Sequence, residues 1–187
     1  MSTTSIIVEL LIIGFFTAVW LFLFCLRLSF FDIQTIKTLA SHLGSWSTPI
    51  LFVAAAVFYQ LGLIMNAISN IITKKFANRN VRDQIVPGKT YENVKTTVWQ
   101  KGSAEIIRNL ELMLTFVRLA RAGIINFFLI AIASFSFGSS LTPLGLVSLL
   151  IFIGCIPLWR IMYSLYYKRM RFAYEVIVGS ETTPMSP

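Results

Sequence analysis

Acidic residues and histidine are in short supply: eight Asp and Glu and a single His, His42, in 187 residues. Acid–base catalysis needs such groups gathered at one place, and here no inward-facing carboxylate pair occurs. The chain also lacks a glycine-rich phosphate loop, H-E-x-x-H, C-x-x-C and G-x-S-x-G. His42 has no Cys or acidic cluster at metal-ligand spacing. We therefore expect no enzyme, no cofactor and no metal site. The two cysteines, Cys25 and Cys155, fall in separate apolar runs at different depths, beyond the ~7 Å Cα separation a disulfide tolerates. Both read as small buried hydrophobes.

Charge as a whole is sparse, at 13% of residues against about 25% in soluble domains, while 56% are hydrophobic. The apolar residues gather into runs of about 20, the length that crosses a bilayer. This predicts an all-α polytopic membrane protein with one domain over residues 1–187. Its four transmembrane helices are expected at 6–26, 49–72, 119–137 and 144–163. No Lys or Arg precedes the first run, so it reads as a retained helix and not a cleaved signal. Glu9 lies one turn inside its start, placed to reach the interface and the positive end of the helix.

Residues 27–48 connect the first two spans. Phe30, Phe31, Ile33, Ile36 and Leu39 suggest a short interfacial helix, with Trp46 as anchor. The second span opens at Pro49, a favourable first helical position. Along it Gly62, Asn66, Ser69, Asn70 and Thr73 share one face, with Gln60 beside it. Amides are costly in lipid, so Gln60, Asn66, Asn70 and Asn126 form a candidate polar intramembrane face. That face either holds helices together or lines a cavity or pore. Asn126, alone in its apolar run, is expected to pair with Asn66 and Asn70.

The connection 74–118 is basic and carries a turn signal at Val86-Pro87-Gly88 and a helix expected from Thr90. Ser103 then suits the N-cap of a helix running to Phe137. At 1.5 Å per residue that helix is roughly 50 Å long, about 20 Å more than the bilayer core. Its first half bears an apolar stripe, Ile106, Leu110, Met113 and Val117. After a tight turn at Gly138–Pro143, the fourth span contains Pro157, where a kink is expected. Helical spacing continues through Trp159, Tyr163, Tyr166, Met170, Tyr174 and Ile177 to about residue 178. The tail 180–187 has the composition of a disordered segment.

Charge sets the orientation. Ten Lys/Arg lie between residues 74 and 121 and four between Arg160 and Arg171, against only Arg27 and Lys37 on the other side. The positive-inside rule then gives a bacterial inner-membrane protein, N-in and C-in. Arg118, Arg121, Lys168, Arg169 and Arg171 are expected as lipid-headgroup anchors, each gaining ~1 kcal/mol from anionic lipid. Lipid accounts for the basic character, so no nucleic-acid partner is expected. Helices three and four should extend into a cytoplasmic helical bundle. There the 106–117 stripe, the tyrosine-rich face and residues 81–99 pack together, unless the stripe serves another protein.

The runs YQLGLIMNAISNII, LELMLTFVRLARAGIINFFLI and YKRMRFAYEVI resemble a group of bacterial four-span proteins without assigned activity. In that group Y-x-x-G on helix two (here Tyr59 to Gly62) precedes a polar stripe, and R-x-x-R (Arg118 to Arg121) enters helix three. Asn66 stands where the group carries Asp, which weakens a proton- or cation-handling reading. The architecture is also similar to membrane subunits of antiphage systems such as Kiwa. The functional expectation is a homo-oligomeric, non-enzymatic membrane protein that docks a soluble cytoplasmic partner through residues 81–117 and 160–177. A pore-forming membrane effector lined by the polar face, in antiphage defence, is the alternative.

Overall fold

The computed structural model describes residues 3–28, 47–74, 86 and 88–182. Those residues form five α-helices and a short 3-10 turn, with no strand among them. Four of the helices are long and apolar enough to cross a membrane: α1 (Thr3–Arg27), α2 (Ser47–Lys74), α4 (Ala104–Phe135) and α5 (Thr142–Thr182). The fifth, α3 (Tyr91–Lys101), is short and amphipathic, burying Val94 and Val98. The interfacial segment expected at 30–39, His42, Trp46 and the whole basic stretch 75–85 lie outside the described residues.

Local chemistry fixes the helix ends. Thr90 caps α3 by accepting from the Asn93 N–H, and Ser103 caps α4 by accepting from the Ile106 N–H. At the far end of α4 the chain turns at Gly138, whose φ of 69° suits a residue without Cβ. The 3-10 turn Gly138–Leu141 leads directly into α5. Pro157 sits inside α5, which continues to Thr182, a few residues past Gly179 where the apolar spacing stops. The last five residues lie outside the described range.

Helix α4 is the centre of the arrangement. It packs most extensively on α5, and on its other side meets α1 and, less closely, α2. Helix α1 runs parallel to α4: Glu9 lies level with Arg118, and Arg27 Nε donates to the Ser136 carbonyl at 3.1 Å. That bond places the Arg27 cation on the negative end of α4. Helices α2 and α5 flank α4 without extensive contact with each other.

The largest apolar cluster joins α3, α4 and α5. Leu110 and Val117 of α4 meet Trp159, Tyr166, Met170, Ala173 and Ile177 of α5, with Val94 and Val98 beneath. The stripe on α4 and the tyrosine-rich face of α5 are thus covered by each other. Two smaller clusters seal α1 to its neighbours, one around Ile13, Met65 and Ala122, the other around Leu23, Ile130 and Ala133. The outer faces of α2 and α5 stay bare: Phe52 is 73% and Leu150 69% exposed. Such continuous apolar surface is unfavourable in water and requires lipid or protein cover.

Helices α1 and α2 meet through two glycines. A Cβ on Gly14 would lie 1.7 Å from the Phe58 carbonyl oxygen, and one on Gly62 2.0 Å from that of Leu10. Both neighbours are backbone and cannot rotate away, so the helices approach only because the side chains are missing. Replacing Gly62 with Ala should cost about 1–3 kcal/mol, the usual range for overpacking. Gly154, with nothing within 4 Å of its position for a Cβ, should accept Ala at no cost. Reversible unfolding in mixed micelles distinguishes the two; equal tolerance would mean α1 and α2 are not in contact.

Candidate functional site

Three polar residues of α4 project from one half of the helix: Arg118, Arg121 and Asn126. Each is met by a different group. Asn126, 1% exposed, donates through Nδ2 to the Ile13 carbonyl at 3.2 Å. Its Oδ1 accepts from Thr17 Oγ1 at 3.1 Å and Trp20 Nε1 at 3.0 Å. The expected pairing with Asn66 and Asn70 is therefore corrected: the partner of Asn126 is α1. Five residues separate Arg121 from Asn126, more than a full turn, and this rotates Asn126 away from α2. The signal was present in the first span, where Glu9, Ile13, Thr17 and Trp20 recur at i, i+4, i+8 and i+11, one helical face.

The amides of α2 serve a different cation. Arg121 Nη1 donates to Asn70 Oδ1 and Nη2 to Asn66 Oδ1, each at 2.8 Å. Asn66 and Asn70, one turn apart, match the two arms of the guanidinium fork. Arg121 Nε is buried with no partner. The other hydroxyls of the stripe are satisfied on their own helix, Ser69 donating to the Asn66 carbonyl and Thr73 to that of Ser69. Gln60 is exposed, apart from the other three amides.

Glu9 does not reach the interface as expected. It is 2% exposed and lies on α4, with Oε2 3.4 Å from Arg118 Nη1 and Oε1 buried without a partner. Arg118 and Arg121, expected to reach for lipid phosphate, both have their guanidinium groups engaged within the protein. Both find a protein acceptor a few ångströms away, which spares the entropic cost of an extended reach. Lys168, Arg169 and Arg171 are exposed on α5, and Arg171 Nε pairs with Glu175 Oε1 at 2.7 Å one turn on.

Beside Arg121 the separation of α2 and α5 leaves a wedge. A cavity of about 260 Å³ opens there, with Asn70, Thr73 and Arg121 on one wall. Leu114 and Val117 form its back, and Trp159, Tyr163, Tyr166, Tyr167 and Tyr91 close the other side. The rings support one another at centroid distances of 4.7 Å (Tyr163–Tyr167), 5.2 Å (Tyr166–Tyr167) and 5.6 Å (Tyr91–Tyr167). The Tyr91 and Tyr166 hydroxyls are 3.4 Å apart. One charge and several hydroxyls in an aromatic setting make a site suited to binding. Among the described residues no group of three His, Cys, Asp or Glu could hold a metal ion.

Comparison with known protein families, with curated proteins and with solved structures finds no match.

Asn126→Leu would leave the Trp20 indole N–H without its acceptor, while the Thr17 hydroxyl keeps the Ile13 carbonyl at 2.9 Å. Interhelical hydrogen bonds in membranes contribute about 0.6–1.7 kcal/mol, so we expect a loss of about 1–2 kcal/mol. Gln60→Leu, at an exposed amide, should change stability by less than ~0.5 kcal/mol. Denaturant titration in bicelles measures both; an Asn126→Leu protein as stable as the native one would remove the α1–α4 bond from the account.

Proposed function

We propose that the chain is a non-enzymatic multi-pass protein of the bacterial cytoplasmic membrane, with both termini inside, that docks a soluble cytoplasmic protein. Orientation rests on the fourteen-to-two division of Lys and Arg between the two sides. Helix α5 has 41 residues, about 60 Å at 1.5 Å per residue, and the bilayer core takes about 30 Å of that. Its second half, together with α3 and the start of α4, forms the cytoplasmic bundle in this reading.

The surface that carries the reading is not the whole 106–117 stripe, most of which α5 covers, but its beginning. It is a groove of about 300 Å³ between the start of α4 and the end of α5, lined by Ile106, Asn109, Leu110, Arg169, Phe172, Ala173 and Val176. Phe172 is 67% and Val176 48% exposed. Both follow the basic run 168–171, so in this orientation they stand in water, where no acyl chain covers them. Arg169 at the rim has no carboxylate within ion-pair distance among the described residues. A partner offering apolar side chains beside acidic ones fits such a groove.

The pore reading draws no support from the amide face, because Asn66 and Asn70 bond Arg121 and Asn126 bonds α1. The test is co-purification of the native protein and a Phe172→Ser/Val176→Ser variant from their own membranes. We expect a stoichiometric soluble protein with the native chain and a loss of at least tenfold with the variant, the scale of a ~1.4 kcal/mol contact. Equal recovery by both, or recovery of the native chain with itself alone, would overturn the proposal.

A further inference from the structure

The wedge cavity beside Arg121 is separate from the docking groove, and its charge is unbalanced. Among the described residues, Arg121 is the one charged residue lining it. The fork is held by two neutral amides, so its orientation is fixed while its charge is not neutralised. The carboxylate of α1 attracts both arginines, but its ion pair is with Arg118, and Arg121 shares it only at longer range. Two guanidinium groups against one carboxylate leave a surplus positive charge in a part-buried setting. Desolvating an ion costs several kcal/mol unless a counter-charge answers it.

Depth and lining narrow the anion. Thr73 closes the apolar run of α2, so the cavity stands where hydrocarbon gives way to headgroups. Tyrosines on the facing wall give it a neutral, polar character opposite the guanidinium, and among the described residues no lining side chain is acidic. A guanidinium in that setting matches the several acceptor oxygens of a phosphoryl group. A volume of about 260 Å³ holds such a headgroup but not its acyl chains, which would leave along the open wedge between α2 and α5.

We propose that this cavity binds a phosphoryl group, carried by a phospholipid headgroup or by a free phosphate compound, with Arg121 as its principal cationic contact. The preset fork distinguishes this from the diffuse attraction of surface cations such as Arg171.

The full-length protein, delipidated in detergent, tests it by native mass spectrometry with phosphatidylglycerol, with diacylglycerol as the phosphate-free control. Phosphatidylglycerol should bind and diacylglycerol should not. Arg121→Gln should weaken binding at least about tenfold, the scale of a lost charge-assisted hydrogen bond. Leu114→Trp, which fills the cavity and leaves Arg121 and its amides in place, should do the same and decides the matter if Arg121→Gln fails to fold. Arg171→Gln should change little. Competition by millimolar inorganic phosphate supports the phosphoryl site and assigns it to a free compound; no competition supports it and assigns it to lipid. Equal binding of diacylglycerol, unchanged binding in either folded cavity variant, or an equal loss in Arg171→Gln would each overturn the proposal.

Discussion

A hydrogen-bonding side chain surrounded by hydrocarbon has no water to fall back on, and this constraint organises the molecule. Helix α4 carries three long polar side chains on one half of its surface, and each is met by a neighbouring helix, while its Thr115 and Ser134 hydroxyls are buried without a partner. Glu9 meets Arg118; the carbonyl of Ile13, Thr17 and Trp20 meet Asn126; Asn66 and Asn70 meet Arg121. Apolar packing alone would allow α1 to slide along α4, since lipid tails solvate leucine as well as another helix does. The polar contacts do not: a shift of one turn would strand an amide. They fix register and rotation, while the Gly14–Gly62 approach of α1 to α2 sets the distance.

The same constraint explains why the helices are not arranged symmetrically. Helix α2 is drawn to α4 at its C-terminal end by Arg121, whereas α5 is held by the aromatic and aliphatic cluster around Tyr166 and Met170. Two different adhesives on two sides of one helix leave a wedge between them. Its lining is therefore mixed, amide and guanidinium from one side and tyrosine from the other. Binding chemistry collects there as a consequence of the packing.

The helical class, the spans and the paired apolar faces of α4 and α5 could be read from the chain because each depends on periodicity within a single segment. Ile106 to Val117 and Trp159 to Ile177 keep helical spacing, and the structure joins the two faces. The stripe of Asn66 and Asn70 was legible as a face needing a partner for the same reason. Identifying the partner was harder, because it depends on the rotation of one helix against another, which no single segment encodes. Depth alone assigns Asn126 to α2; the rotation of α4 gives it to α1. Glu9 was read as an interfacial residue from its place near a helix start, and only the proximity of Arg118 makes burial tolerable. The cavity was invisible, since it arises from two helices failing to meet. The groove at Phe172 and Val176 was partly hidden too: the spacing that marked Ile177 as inward passes over the two residues that face outward.

The account depends most on where the Arg121 guanidinium sits. Magic-angle-spinning NMR on the protein in lipid bilayers, with guanidinium nitrogens and Asn side-chain carbons labelled, measures that directly. Through-space correlations from Arg121 to the Cγ atoms of both Asn66 and Asn70 are predicted, since Arg121 nitrogens lie 2.8 Å from each amide oxygen. A guanidinium with neither correlation would contradict the packing of α2 on α4 and the cavity formed beside it.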